Sequence, residues 1–581
     1  MKQLLKEYLE SMGEREGLDA LLGNLLSQMG LNVLTTPMRG TKQHGVDLAA
    51  VGRLGDDPDK TLYLFSIKSG DITRKNWAVG EQSLRPSIGE IVDGYVNASI
   101  LPEYANSPIV IYVCCGGEVK ENLLGDVSGF LKQTQLRDAS GRLQLRVMNG
   151  DQIANYIVKY FMSPKLVSIN ERRLLFSCLS MAEDSDSSCL YFSRLLSSLL
   201  HEEKNGKKKL FRVRQLGICL GLLQHHCIEA NNLDACYRAA EISLLHCWAY
   251  LDLGKRTDKR RMEQAWRAYH GLWWQYVEMG RLYCEKISPV CRDAYLMTYA
   301  CEAGNEVDVN LRLYDVIGRL ASYGTSLWWY ALSLQKCPGL LEACHEEVSK
   351  VCNALLGLLK NNPVADSPLR DDQAVEIGIV SVFFNQIKWF GELHDWYLRV
   401  LNQTGKNFCM GAAYPSTGLD YPGLLEHLQH AHDEEYKNKV LPSSELFPAM
   451  YLFASALGFS DVCAQISKLV ETFLKKCDFQ VWYPEPLSEE VFYTNGNIHG
   501  LQLVSQDLLD GGKFVKNVFS ECEKHDLPFS CLKSPFGGVL LIGCRLYRYP
   551  LPPHFVQVIA KSRKTDDVSG QDEYKSNASR H

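Results

Sequence analysis

The hydrophobic periodicity of this chain changes near residue 165, and no other feature of the sequence constrains the fold as strongly. Before that point, short apolar runs typical of strands alternate with segments of helical period. After it, the 3.6-residue period of amphipathic helices continues to about residue 560. The pattern predicts an α/β domain over 1–165, a large all-α region over 166–560 and a disordered tail over 561–581, which lacks apolar residues.

The first region reads as a regular series of secondary-structure elements. The predicted elements are a helix from Leu18 to Met29, strands over 31–37, 46–52 and 61–68, a helix from Pro86 to about Ser99, a strand over 108–115, a helix near 119–133, a strand over 143–148 and a helix near 151–161. Ser87 and Glu90 read as a capping box at the start of the fifth element. The order α-β-β-β-α-β, followed by α-β-α, predicts a three-layer α-β-α domain.

The second region reads as stacked helices, and its clearest segment is 262–283. Helix pairs of about 35–45 residues would fit an α-solenoid, although no sequence repeat has a fixed period. A region of this kind suits sensing, self-association or the binding of a protein partner. The neighbouring histidines His225 and His226, with Cys227, are predicted to pack in the helical core.

The bulk composition excludes several classes of protein. A formal net charge of −6 excludes a polybasic nucleic-acid coat, so any contact with nucleic acid must come from a local patch. No apolar run is long enough to span a membrane, and the charged N-terminus has no apolar segment typical of a secretory signal. The 20 cysteines contain no CxxC pair and are predicted to be unpaired thiols. We therefore expect a cytoplasmic protein without membrane contact.

The strand predicted over 61–68 ends in a lysine, which is unusual for so apolar a segment. Because side chains alternate along a strand, one face carries Tyr63, Phe65 and Ile67, and the other carries Leu62, Leu64, Ser66 and Lys68. An ammonium group at the end of such a strand requires a carboxylate or an anionic ligand. If the strands 46–52 and 61–68 pair, Asp47 and Lys68 converge at one end of the sheet.

The residues around this pair resemble the PD-(D/E)xK restriction-endonuclease-like superfamily, especially its Mrr-type branch. In that family a helix with an acidic residue near its start precedes a GxD strand, an (E/Q)xK strand and a further helix. The matching residues are Asp19 in REGLDALLGNLLSQMG, Asp47 in QHGVD and Lys68 in LFSIKSG. Glu16, one turn before Asp19, competes for the place of the helical carboxylate. The resemblance covers about residues 14–160 and leaves the helical remainder unmatched.

The resemblance implies a Mg²⁺-dependent (or Mn²⁺-dependent) endonuclease that acts on DNA, in the manner of a restriction or antiviral defence effector. Asp47, with Asp19 or Glu16, would hold the metal, and Lys68 would position the attacking water or stabilise charge on the phosphoryl oxygens. Ser66 stands where the family usually has Glu or Gln, and a hydroxyl is a poor ligand for a hard cation. Two alternatives therefore stay open: a catalytically inactive nucleic-acid-binding module, and a scaffold whose helical region carries the function.

A basic set follows the lysine strand and could contact a phosphate backbone. Four cations and two carboxylates give this segment a local net charge of +2; they are Lys68, Arg74, Lys75 and Arg85, with Asp71 and Glu81. Trp77 lies among them and would either stack on a base or pack against the sheet. A solvated loop explains these charges equally well. Gln43 and His44 precede Asp47 and are expected near the substrate, with His44 a candidate general base.

Overall fold

The computed structural model of the 581-residue chain describes most of the sequence. The described residues are 2–12, 18–35, 44–58, 60–79, 83–96, 100, 102–138, 140–162, 167–201, 205–253, 259–301, 304–429, 433–494, 496–497, 499–504 and 507–563. The chain divides into two units, one formed by residues 1–279 with 336–339 and the other by residues 280–335 with 340–581. The domain boundary near residue 165 stays a prediction, because the first unit contains both the sheet and the helices that follow it.

The first unit contains a mixed five-stranded sheet. Its strands are β1 (Asn32–Thr35), β2 (Leu48–Gly52), β3 (Thr61–Lys68), β4 (Ile109–Cys115) and β5 (Leu143–Met148), in that order across the sheet. β1 and β3 each pair with β2 in antiparallel fashion, whereas β3, β4 and β5 are parallel. Every residue of β4 is buried, as expected for a parallel strand covered on both faces. The prediction of an α/β arrangement at the N-terminus is confirmed.

Helices lie on both faces of this sheet. They are α1 (Lys2–Ser11), α2 (Asp19–Gln28), α3 (Arg74–Ala78), α4 (Leu84–Glu90), which continues as a π-helix over Ile91–Tyr95, α5 (Leu124–Leu136) and α6 (Gly150–Tyr160). The first face carries Leu48 and Phe65 and contacts α2, where a Cβ at Gly23 would lie 3.3 Å from Leu48 Cδ1. The second face carries Ala49 and Leu64. There one apolar cluster joins the sheet to side chains of α3, α4 and α5.

The start of α4 differs from the prediction. The helix begins at Leu84 rather than Pro86, and Ser83 is its N-cap residue. Ser87 lies inside the helix, where its hydroxyl donates a hydrogen bond to the Ser83 carbonyl at 3.0 Å, so the predicted capping box is wrong. The earlier start buries the Leu84 side chain completely, and this burial favours the longer helix over the local cap signal.

The remainder of the chain is mainly helical. The helices are α7 (Ile169–Ser180), α8 (Ser185–Leu199), α9 (Gly206–Glu229), α10 (Leu233–Leu251), α11 (Lys259–Cys291), α12 (Leu296–Ala300), α13 (Glu306–Leu332), α14 (Pro338–Asn361), α15 (Ala374–Gln386), α16 (Phe390–Met410), α17 (Tyr421–Gln429), α18 (Glu434–Val440), α19 (Leu446–Leu457), α20 (Ser460–Phe473), α21 (Ser488–Phe492), α22 (Gly511–Cys522), α23 (Gly538–Tyr547) and α24 (554–563). The prediction of a large helical region is confirmed, whereas an α-solenoid stays a prediction.

Two details of the second region depart from the sequence prediction. The region is not purely helical, because two small sheets form, one from Ser443–Ser444 with Asp478–Phe479 and one from Val481–Tyr483 with Leu501–Leu503. These strands are too short to show a period of two in the sequence. Residues 561–563, predicted as part of a disordered tail, end α24, and 564–581 lie outside the described residues.

Two general expectations can be compared with the structure. Among the described residues, no helix combines the length and the apolar character that crossing a membrane requires. All 20 cysteines are free thiols, as the sequence predicts, and most of them are buried.

Candidate active site

Asp47 lies directly before β2 and extends its pairing with β3. Its backbone amide donates a hydrogen bond to the Phe65 carbonyl at 2.8 Å. Its carboxylate Oδ2 accepts a hydrogen bond from the backbone amide of Ile67 at 2.7 Å. The side chain thus replaces the strand carbonyl that would otherwise pair with Ile67. A carboxylate oxygen accepts from more than one direction, so this bond is compatible with coordination of a cation.

Lys68 is the last residue of β3 and lies next to the amide that Asp47 binds. In the parallel register Lys68 is opposite Cys115, whose side chain belongs to the second face of the sheet. Ser66 lies on the same face, as the alternation in the sequence predicts. Lys68 is half-buried, whereas Ser66 is only 1% exposed. Asp47 and Lys68 therefore reach the same end of the β2–β3 pair.

Asp19 approaches this end of the sheet from the first face. The Cα of Leu31, beyond the end of α2, lies 3.2 Å from a Cβ built at Gly52, whereas Gly23 lies against Leu48. α2 therefore runs in the same direction as β2. At 1.5 Å per residue, Asp19 lies about 6 Å before Gly23 along the helix, toward the end of the sheet at which Asp47 lies. The Asp19 carboxylate is buried, and its Oδ1 accepts from the Ala20 amide at 2.6 Å.

The candidate residues reach the sheet from different directions. Asp19 belongs to the layer on the first face, Lys68 leaves the strand on the second face, and the Asp47 carboxylate lies between them in the plane of the sheet. Groups arranged in this way can contact the same substrate only if that substrate binds beyond the ends of the strands. Glu16 and Gln43, two other predicted site residues, lie outside the described residues.

A tight turn delivers the chain to Asp47. Gly45 has φ +76°, and a Cβ there would overlap the carbonyl oxygen of Ser87 in α4. The ring of His44 lies against the π-helix, where its Nδ1 would be 2.9 Å from a Cβ at Gly94. The glycine of the GxD motif is therefore required for both its backbone conformation and its close approach to α4. His44 as a general base stays a prediction.

The predicted basic set is divided between two places. Arg74 and Lys75 are exposed on α3. Trp77 is only 2% exposed and packs edge-on against Phe130 at 5.7 Å, so of the two alternatives for this residue the structure supports packing. The guanidinium group of Arg85 lies 5.0 Å from the centre of the same Phe130 ring.

Arg85 borders a groove at the opposite end of the sheet from Lys68. The groove has a volume of about 810 Å³ and is also lined by Arg137 and Arg142. Ile109 and Leu143, the first residues of β4 and β5, lie in its wall. Because β3 and β4 are parallel, this end is remote from Lys68, so Arg85 does not form one continuous patch with that lysine.

The donor atoms of the candidate site suit Mg²⁺ better than a softer metal. Mg²⁺ binds carboxylate oxygens and commonly keeps several waters, so one or two carboxylates suffice. Asp47 and Asp19 supply carboxylates of this kind. In the described part of the chain, the close group of three His, Cys, Asp or Glu ligand atoms lies in α9 and does not include Asp47 or Asp19.

The sequence did not indicate which segments cover the end of β4, the strand next to β3. Gly116 and Gly117 follow β4, and a Cβ at Gly116 would overlap the carbonyl of Leu9 in α1. The Gly117 amide donates to the Gly70 carbonyl at 2.8 Å, which ties the loops after β3 and β4 together. A glycine pair directly after a buried strand is the signal that could have identified this close approach.

The thiol beside Asp47 is not a competing nucleophile. Burial raises the pKa of Cys114 well above its usual value, and negative charges at Cys115 and Asp47 act in the same direction. A thiol in such surroundings stays protonated and unreactive near neutral pH. The chemistry of the site therefore rests on its carboxylates and on Lys68.

Comparisons of this chain with protein-family models, with curated proteins and with solved structures found no match. The function is therefore argued from the residues and their geometry.

Proposed function

We propose that the chain is a metal-dependent endonuclease that hydrolyses phosphodiester bonds in DNA. The observation that carries the proposal is the 2.7 Å bond from the Ile67 amide to Asp47, which holds a carboxylate one residue from Lys68. Support also comes from the order helix, three antiparallel strands, helix and parallel strand, with Asp19 at the start of the first of these helices. Both features agree with the restriction-endonuclease-like resemblance.

The roles of the side chains follow from their charge. Asp47 and Asp19 would hold Mg²⁺, or Mn²⁺, through carboxylate oxygens. A bound divalent cation polarises the scissile phosphate and lowers the pKa of its water. The Lys68 ammonium group would orient the attacking water or stabilise the charge that develops on the phosphoryl oxygens. Arg74 and Lys75, exposed on α3, would contact the phosphate backbone nearby.

A second candidate function is binding of nucleic acid without cleavage. Ser66 favours it, because this residue is 1% exposed and supplies no carboxylate where the family pattern has Glu or Gln. A protein of this kind would retain DNA in a salt-dependent manner and would not consume it.

Cleavage by the full chain distinguishes the two functions. Plasmid, linear and single-stranded DNA are incubated with Mg²⁺ or Mn²⁺, using the native protein, Asp47→Asn, Lys68→Ala and the control Lys132→Ala, which removes an exposed ammonium group from α5. We expect the first two variants to lose at least about 100-fold in rate, as other charge-stabilising groups do. The control should cut normally, and chelation of the metal should abolish cleavage.

Asparagine is chosen at position 47 because its side-chain oxygen can still accept from the Ile67 amide. The melting temperature of each variant establishes that lost cleavage is not lost folding. Native rates in both Asp47→Asn and Lys68→Ala would rule out this active site. Salt-dependent DNA retention with no cleavage by the native protein would favour the binding function.

A further inference from the structure

The last turn of α9 (Gly206–Glu229) brings together three metal-ligating side chains. His225, His226 and Glu229 each offer one ligand atom, and these atoms all lie within 4.8 Å of one another. We propose that the three side chains form a site for one transition-metal ion of the zinc class, separate from the nuclease site. This inference does not depend on the proposed nuclease activity.

The spacing of the three residues follows helical geometry. Glu229 lies four residues after His225 and three after His226, and residues at both separations share a helix face. Nε2 of His225 is 3.5 Å from Oε1 of Glu229. Ligand atoms bound to one tetrahedral Zn²⁺ at about 2.0–2.1 Å are roughly 3.3 Å apart. The side chains therefore need only small movements to bind one ion.

One ring nitrogen of each histidine forms no hydrogen bond with the described residues. Nε2 of His225 and Nδ1 of His226 are buried, and neither forms a hydrogen bond with any residue in the described part of the chain. Buried polar atoms in folded proteins are nearly always paired, so two such nitrogens on neighbouring residues call for a ligand.

The ligand chemistry points to zinc and its neighbours. Imidazole suits Zn²⁺, Cu²⁺ and Ni²⁺, whereas Mg²⁺ and Ca²⁺ prefer oxygen ligands. Two histidines and one carboxylate leave a fourth position of a tetrahedral ion for water or another side chain. The carboxylate of Glu7 in α1 interacts electrostatically with His226. Glu7 is thus a further carboxylate near the proposed metal site, and it belongs to α1.

The site lies where α1 packs against α9. Tyr8 of α1 lies against Gly221, where a Cβ would overlap the tyrosine ring. α1 also closes the end of β4 through the contact between Leu9 and Gly116. An ion bound at the end of α9 should raise the melting temperature of the full chain, because it binds the folded state and not the unfolded chain.

The alternative is a surface ion pair between His225 and Glu229 and no metal. Glu229 is 64% exposed, and exposed pairs at this spacing contribute little to stability. The exposure also makes Glu229→Gln a safe variant, because it cannot disturb a core. His201→Gln is the matched control, since it removes an exposed imidazole in the same unit.

The experiment is a titration of the reduced, metal-free full chain with Zn²⁺, followed by dialysis, metal analysis and thermal unfolding. Co²⁺ is used in parallel, since its visible spectrum reports the ligand geometry. The native protein and His201→Gln should each bind one ion at this site and melt at a higher temperature with Zn²⁺. Glu229→Gln and His226→Gln should weaken binding by more than about 100-fold, because loss of an outer-shell partner alone costs about 10- to 100-fold.

Comparison between variants distinguishes zinc bound at this site from zinc bound by cysteines, because the substitutions leave all cysteines unchanged. Equal Zn²⁺ affinity and stoichiometry in Glu229→Gln and the native protein would overturn the proposal, as would the absence of binding to the native chain. Asp47→Asn should bind Zn²⁺ at this site normally. Failure here and failure of the nuclease proposal are therefore distinguishable.

Discussion

At the scale of single residues, Asp47 combines a structural and a chemical role. Its carboxylate completes the hydrogen bonding of β3 through the Ile67 amide, and the same carboxylate is the candidate metal ligand. An alanine at this position would remove both, and lost cleavage would then have two explanations. Asparagine retains the acceptor and removes the charge, so it isolates the chemical role.

Gly45 is the residue on which the path of the chain into Asp47 depends. Gly45→Ala should lower the free energy of unfolding by more than about 2 kcal/mol, since it combines an unfavourable positive φ with overlap at Ser87. Gly55→Ala is the control, because φ is +60° there and no atom lies within 4 Å of the added Cβ. It should lose only about 1 kcal/mol. Urea unfolding measures both, and equal losses would contradict the predicted overlap.

At the scale of secondary-structure elements, one ion pair joins the β2–β3 connection to β5. The Arg146 guanidinium group donates to both carboxylate oxygens of Asp57, at 2.8 and 2.7 Å. The Tyr63 hydroxyl donates to the same carboxylate at 3.0 Å. Asp57 is 12% exposed, so this pair is better shielded from solvent than the other pairs near the sheet edge. The hydrogen bonds from Arg146 lower the pKa of Asp57 below its usual value.

Arg146→Lys should destabilise the chain by about 1 kcal/mol at pH 7, because an ammonium group cannot make the paired hydrogen bonds. Arg173→Lys, on the exposed surface of α7, is the control and should have no effect. Because the pKa of Asp57 is depressed, its contribution is present above the usual value of 3.8 and is lost as the pH falls through the lowered pKa. The difference between Arg146→Lys and the native protein should shrink in acid. A difference independent of pH would argue against the ion pair.

At the scale of the whole molecule, buried carboxylates make stability depend on pH. In the second unit, burial raises the pKa of Asp371 to about 6 and that of Glu445 to about 8. The Glu445 amide donates to Asp371 at 2.6 Å, and the charges of Asp371 and Asp372 oppose ionisation of Glu445. Because their pKa values are raised, these groups stabilise the folded state more when they are protonated than when they are ionised.

The native chain should therefore lose stability as the pH rises. For Glu445 the contribution is fully present below the usual pKa of 4.5 and is lost as the pH rises through about 8. Glu445→Gln should gain about 1.4 kcal/mol or more over the native protein at pH 9, the equivalent of one pKa unit. Glu523→Gln, an exposed control on the surface after α22, should behave like the native chain. Parallel pH profiles for Glu445→Gln and the native protein would contradict the prediction.

The sequence predicted which helices and strands form more accurately than it predicted the residues at which they begin and end. β3 and β5 have the predicted limits, because long apolar runs bounded by turns leave little choice. α4 begins two residues early, since burial of Leu84 outweighs a local cap. The alternation that puts Ser66 and Lys68 on one face is confirmed by the register with β4. The sequence could not predict which side chains meet at the end of the sheet. Their meeting depends on the direction of α2 and on the path of the turn at Gly45.

By itself, the sequence determined the change of hydrophobic periodicity along the chain, the order of its N-terminal elements, and the placing of Asp47 and Lys68 at the ends of two consecutive strands. These follow from local periodicity, which is written into neighbouring residues. Only the tertiary structure decided that Trp77 is buried, that Arg85 borders a groove away from Lys68, and that α1 packs against α9, the helix of His225, His226 and Glu229. Such facts depend on contacts between residues distant in the chain, and local periodicity carries no information about those contacts.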